Sequence, residues 1–136
     1  MFSNGCDHNL SVYIADDSEV LRESLTEVIS EMHHITIVGE AGNGTTACEE
    51  IFATRPDVAI LDIRMPGMNG IAVSREFRRY DPDMAVIIFT SHDLPEYRER
   101  SIGAGADYFF HKTKEMFALL GTLEDMAQEK IIGGAE

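Results

Sequence analysis

Asp57 to Gly70 reads D-V-A-I-L-D-I-R-M-P-G-M-N-G. Val58 to Leu61 form a short continuous apolar run, the pattern of a strand buried on both faces. The run stops at a carboxylate, Asp62, and Pro66, Gly67, Asn69 and Gly70 then punctuate a loop. A carboxylate at the carboxyl end of a central strand stands where open α/β sheets bind ligands. A plain turn-forming aspartate would read the same way on this stretch alone, because Asp is common where strands end.

The flanking sequence decides between these readings. Leu10 to Ala15 (L-S-V-Y-I-A) predicts a first strand, followed directly by Asp16-Asp17-Ser18. A helix follows, with Val20, Leu21, Leu25, Val28, Ile29 and Met32 on one stripe. Ile35 to Val38 is a second β-branched run. After an Asn43-Gly44 turn, Thr45 to Thr54 carries Ala47, Ile51 and Phe52 at helical spacing, and Pro56 ends that helix. A third helix is expected from about Ile71 to Tyr80, broken by Asp81-Pro82. Ala85 to Phe89 predicts a fourth strand, ending in Thr90-Ser91. Glu96 to Ile102 gives a short polar helix, and Ala106 to Phe110 a fifth strand ending His111-Lys112-Thr113. The last helix is expected from about Lys114 to Lys130, with Gly133-Gly134 releasing the chain. Strands alternating with helices imply a parallel sheet covered on both faces.

All strand ends of a parallel sheet point one way. They carry Asp16-Asp17, then Asp62, then Thr90-Ser91, then Lys112. If the first and third strands are neighbours, three carboxylates share one crevice with a hydroxyl and an ammonium beside them. Such a group repels itself unless a cation joins it. An all-oxygen ligand set suits Mg²⁺. A hard metal beside a lysine fits phosphoryl transfer, in which a carboxylate can itself be the acceptor.

These motifs, in this order over about Leu10 to Lys130, resemble the receiver domain of two-component response regulators. The resemblance implies a flavodoxin-like, doubly wound α/β fold: a five-stranded parallel sheet of order 2-1-3-4-5 with five helices. Residues 10–130 would form the receiver, with tails at 1–9 and 131–136. It implies that Asp62 takes a phosphoryl group from the phosphohistidine of a sensor histidine kinase or histidine phosphotransfer protein. Asp17, Asp62 and the backbone carbonyl of Arg64 would ligate Mg²⁺, with Asp16 reaching it through water. Lys112 would pair with the phosphoryl oxygens, and Thr90 would act as both hydrogen-bond donor and moving switch. The aromatic switch position falls on Phe109. Output would pass to a protein partner or a second copy through the face of the fourth helix, fifth strand and fifth helix.

Two positions depart from the family pattern. Phe109 stands where Tyr is frequent and lacks its hydroxyl. Thr113 follows Lys112 where Pro is frequent, which counts against a cis peptide there.

Composition narrows the alternatives. The 136 residues suit one domain with a real core, and a formal net charge of -13 argues against direct, unaided nucleic-acid binding. Cys6 and Cys48 are too few for a disulfide framework or a zinc site. No secretory leader or membrane span is evident, so a cytoplasmic protein is expected. Gly39 to Thr46 has the spacing of a phosphate loop but no Lys before the Thr, and reads as a strand-turn-helix connection. His33-His34 reads as the close of the first helix, His92 and His111 as rim residues, and Met65 and Met68 as loop packing.

The principal functional reading is a phosphorylation-switched binding module, not a turnover enzyme. The ending K-I-I-G-G-A-E leans this reading towards a stand-alone regulator, with the receiver half of a longer DNA-binding regulator as the alternative. A Mg²⁺ phosphatase with an aspartyl nucleophile would usually place a second Asp two residues on, where this chain has Arg64. A receiver-like scaffold that is never phosphorylated sits poorly with the complete set of acids, Thr90 and Lys112.

Overall fold

A computed structural model describes residues 9–134. In chain order the elements are β1 (Leu10–Ala15), α1 (Glu19–Ser30), β2 (Ile35–Ala41), α2 (Gly44–Thr54), β3 (Val58–Leu61), α3 (Gly70–Tyr80), β4 (Ala85–Thr90), α4 (Pro95–Gly103), β5 (Tyr108–His111) and α5 (Met116–Gly134). The five strands are parallel throughout, in the order β2-β1-β3-β4-β5. This is the flavodoxin-like, doubly wound arrangement expected from the sequence.

The apolar run of β3 is buried at every residue. Its side chains alternate between two cores, as period-two geometry requires. Ala59 and Leu61 join Ala47, Ile51, Val73 and Phe77 on the α2/α3 side. Val58 and Ile60 join Leu25, Ile29, Leu119 and Leu123 on the α1/α5 side. The helices α1, α2, α3 and α5 each bury an apolar stripe, and burying a side chain such as Leu25 or Leu119 stabilises by about 1.5–3 kcal/mol.

Several boundaries differ from expectation, each for a local reason. β2 continues past Val38 to Ala41. Gly39 is part of the strand because a Cβ there would lie 2.8 Å from the Tyr13 ring. The ladder shifts register at this point, pairing Val12 with Ile37 but Tyr13 with Gly39. β5 starts at Tyr108, not Ala106, whose N–H is taken by the Ser101 carbonyl at the end of α4. α5 starts at Met116, after a turn in which the His111 Nδ1 accepts from the Thr113 and Lys114 N–H groups. It then runs through Gly133 to Gly134, since helical glycine costs only about 1 kcal/mol against alanine.

Val20 and Val28 are 75% and 44% exposed, so only Leu25 and Ile29 of the expected α1 stripe are fully buried. His33 and His34 lie beyond α1, which ends at Ser30. His34 is left-handed (φ 67°), and its carbonyl accepts the Leu10 N–H. α2 does stop before Pro56, with Arg55 left-handed at its cap. Asn43 caps α2 by accepting from the Thr46 N–H, which accounts for the Gly39–Thr46 stretch without a nucleotide. Met65 and Met68 pack against the α2/α3 core. No cis peptide bond occurs among the described residues. Of the expected 1–9 tail only Asn9 is described, and Cys6 lies outside the described residues.

Glycines let the β3–α3 loop close tightly. A Cβ at Gly70 would lie 2.1 Å from the Asp62 carbonyl oxygen, with no flexible side chain able to give way. Gly70→Ala is therefore expected to cost about 3 kcal/mol, read by urea unfolding.

At the opposite end of the sheet, Asp57 accepts from the Ser11 N–H and hydroxyl and from Lys130 Nζ at 2.6 Å. Burial pushes this carboxyl up, but Lys130 and Ser11 outweigh it and hold it below its ordinary value. A carboxylate depressed on folding contributes stability above the unfolded value of about 3.9, and loses it as pH falls through the folded one. The pair is partly exposed, so solvent screening keeps the ionic share small. Asp57→Ala should cost about 1–2 kcal/mol at pH 7, chiefly through lost hydrogen bonds, and progressively less below about pH 4. Urea midpoints across pH 3–7 read this out.

Candidate functional site

The backbone ladder brings the predicted residues together. The Asp16 N–H donates to the Ala41 carbonyl, the Asp62 N–H to the Ala15 carbonyl and the Lys112 N–H to the Thr90 carbonyl, each at 3.0 Å. Each of these residues thus extends the sheet just past a strand end. Asp16, Asp17 and Asp62 each offer a carboxylate oxygen within 4.8 Å of the others. Asp16 and Asp62 are buried at 3% and 5% exposure, whereas Asp17 is exposed.

Lys112 reaches into this group from the β5–α5 turn. Its Nζ lies 2.6 Å from Asp16 Oδ2 and 2.7 Å from Asp62 Oδ2. The remaining oxygens are partly committed. Asp16 Oδ1 accepts from the Ser18 N–H, and Asp62 Oδ1 from the Ile63 N–H. Ser18 also caps α1, accepting from the Leu21 N–H.

Burial pushes the Asp16 carboxyl above its ordinary value, with Asp62 adding to the rise and Lys112 and Ser18 opposing it. Burial works to lower the Lys112 ammonium, but its bonds to Asp16 and Asp62 outweigh this and raise it. Three carboxylates and one ammonium leave a local excess of two negative charges. That excess, an oxygen-only donor set and one exposed member fit a hard divalent cation such as Mg²⁺.

Thr90 is fully buried at the end of β4, and its Oγ1 accepts from the His92 N–H at 3.2 Å. Phe109 is 5% exposed on β5, opposite Ile88, in the α2/α3-side core. The Arg98 guanidinium of α4 lies over its ring, 4.8 Å from the centroid. Arg64 is exposed on the loop leaving β3. His111 is held by its contacts in the β5–α5 turn, with Nε2 3.7 Å from Asp93.

Sequence reasoning missed Arg22, which donates to the Asp16 carbonyl, and Arg98 over Phe109. Arg22 stands one helical turn beyond the Asp pair, a spacing that hints at a return contact. Nothing in the local sequence pairs Arg98 with Phe109.

The sequence model of the family described as "Response regulator receiver domain" matches residues 12–124. The chain belongs to this family. It is 33% identical over 126 residues to "Probable transcriptional regulatory protein NarL" of Mycobacterium tuberculosis, covering 93% of this chain and 58% of that protein. It is 34% identical over 117 residues to the "DNA-binding transcriptional activator DevR/DosR" of the same species, covering 86% and 54%. The chain thus spans little more than half the length of these relatives. Among solved structures, the signal receiver domain of NarL from M. tuberculosis superposes with a TM-score of 0.81 at 33% identity, covering 88% of this chain and 97% of that one. A LuxR-family DNA-binding response regulator from Staphylococcus aureus gives 0.75 at 30% identity, covering 93% and 99%.

Removing the ammonium from this receiver leaves two buried carboxylates without their cation. Lys112→Met is expected to cost about 3 kcal/mol at pH 7. The deficit should narrow as pH falls towards 4, because Asp16, already pushed up by burial, then takes up a proton. Denaturant unfolding at pH 7 and pH 4.5 measures both.

Proposed function

We propose that this receiver accepts a phosphoryl group on Asp62. The observation that carries the reading is the juxtaposition of the Asp62 carboxylate with Lys112, Asp16 and Asp17 at the carboxyl edge of the sheet. An Asp62 oxygen attacks the phosphorus of a kinase or phosphotransfer-protein phosphohistidine. An O–P bond forms, the P–N bond breaks, and the imidazole leaves with its electron pair. Asp17 and Asp62, with the Arg64 carbonyl, would hold Mg²⁺, and Asp16 would reach it through water. Bound there, the ion supplies charge neutralisation for the transferring phosphoryl group.

Lys112 releases an Asp62 oxygen for attack and then pairs with the new phosphoryl oxygens. Thr90 turns its hydroxyl from the His92 N–H towards the phosphoryl group, and Phe109 follows into the space this leaves. Because Phe109 has no hydroxyl and its ring is already buried, its readout is a change in ring packing, beneath Arg98, with no new hydrogen bond. The movement shifts a two-state population at the α4–β5–α5 face, which a protein partner or a second copy reads. The protein is a phosphoacceptor that promotes its own transfer and dephosphorylation, not an enzyme turning over an external substrate, and it works in the cytoplasm.

The relatives favour the receiver half of a longer DNA-binding regulator over a stand-alone regulator. On that reading the acidic receiver is the control element, and DNA contact falls to another part of the protein. No helix among the described residues is long and apolar enough to cross a membrane.

Intact-mass analysis after incubation with acetyl phosphate tests the reading. The native chain is expected to gain one phosphoryl group only when Mg²⁺ is present, and Asp62→Asn to gain none. An adduct of equal yield in Asp62→Asn would overturn it. Thr90→Ala should keep the adduct and lose the change in amide exchange at α4 and β5 that accompanies it in the native chain.

A further inference from the structure

Arg22 makes two contacts that together fix the loop between β1 and α1. Its Nη1 donates to the Asp16 carbonyl at 2.6 Å, and its Nε donates to Glu40 Oε1 at 3.0 Å. The side chain is 16% exposed. Glu40 stands near the end of β2, where its other oxygen accepts from the Thr26 hydroxyl at 3.4 Å. Room for the guanidinium depends on Gly42, where a Cβ would lie 2.9 Å from Arg22 Nη1. The Asp16 N–H is already held by the Ala41 carbonyl. Both backbone polar groups of Asp16 are therefore anchored, one by β2 and one by an arginine that β2 aims.

Asp17 follows immediately, is exposed, and has no side-chain hydrogen bond among those of the described residues. The placement of its carboxylate beside Asp16 and Asp62 must come from the backbone of Asp16 to Ser18. We infer that Arg22, aimed by Glu40, is the positioning residue that sets this backbone and so presents Asp16 and Asp17 to one divalent cation. This rests on the Mg²⁺ reading above and assigns Arg22 no contact with the ion. Outer partners that orient metal ligands typically contribute ten- to a hundredfold in affinity. A backbone-directed contact at the edge of the site belongs at the lower end, about tenfold.

Calorimetric titration of the purified chain with MgCl₂ tests this, paired with thermal unfolding in the absence of metal. Arg22→Met keeps an unbranched apolar stem but donates nothing, and should raise the Mg²⁺ Kd about tenfold. Arg22→Lys, which keeps one donor, should recover most of that loss. Glu40→Ala leaves the guanidinium but removes its aim, and should weaken Mg²⁺ in the same direction even if Arg22→Met folds poorly. Arg78→Met is the control for stability. Arg78 bonds the Gly105, Pro82 and Met84 carbonyls away from the site, so its loss should lower Tm and leave the Mg²⁺ Kd unchanged.

An unchanged Kd in both Arg22→Met and Glu40→Ala would overturn the inference. So would an equal weakening in Arg78→Met, since the effect would then be general loosening. If the native chain binds no Mg²⁺, the reading of the site fails and the inference about Arg22 falls with it.

Discussion

Two aspartates buried side by side, Asp16 and Asp62, would repel each other strongly, and the Lys112 ammonium between them makes their burial tolerable. Each element of the fold helps to impose this arrangement. β1 and β3 must be neighbours for the carboxylates to meet, and β5 must end at the right height for Lys112 to reach them. A buried ion pair is weak evidence for stability, because desolvation consumes much of its Coulombic gain. This cluster is better understood as stored potential. With the exposed Asp17 counted, the single ammonium leaves two negative charges uncompensated, a state suited to a divalent ion.

The two apolar cores supply the rigidity that such a site needs. β3 is buried on both faces, so Asp62 cannot shift without disturbing Leu61 and Ile60 beneath it. The helix at the face assigned to the readout is held more lightly. α4 buries only Ser101 within its span, and it meets the site side of the sheet through Arg98 on Phe109. A rigid proposed acceptor beside a lightly held helix is the division of labour expected of a switch, where motion draws on the less stable parts of a fold.

The strand ends were legible in the sequence because a carboxylate closing an apolar run is a local feature. Asp16, Asp17, Asp62, Thr90 and Lys112 all fall where that reading put them. The order of the strands was not local, and came from resemblance to a family rather than from any single stretch. What stayed hidden depends on distant segments meeting. Gly39 was read with the connection after Val38, but it belongs to β2, where the Tyr13 ring across the ladder leaves no room for a Cβ. Val20 and Val28 matched the helical period of α1 yet face solvent, because the sheet covers a narrower stripe than periodicity allows. Arg22 takes its meaning from Glu40 near the end of β2 and Gly42 just beyond it, both distant in sequence. The lean towards a stand-alone regulator rested on the last few residues, which carry no fold information, and the relatives point the other way.

The proposed chemistry rests on one carboxylate, Asp62. Treating the phosphorylated chain with borohydride reduces an acyl phosphate to an alcohol, so peptide mapping by mass spectrometry locates the acceptor directly. Homoserine at position 62 alone is the predicted result. Homoserine at position 16 or 17 instead, or a phosphoryl group retained on a histidine such as His92 or His111, would contradict it.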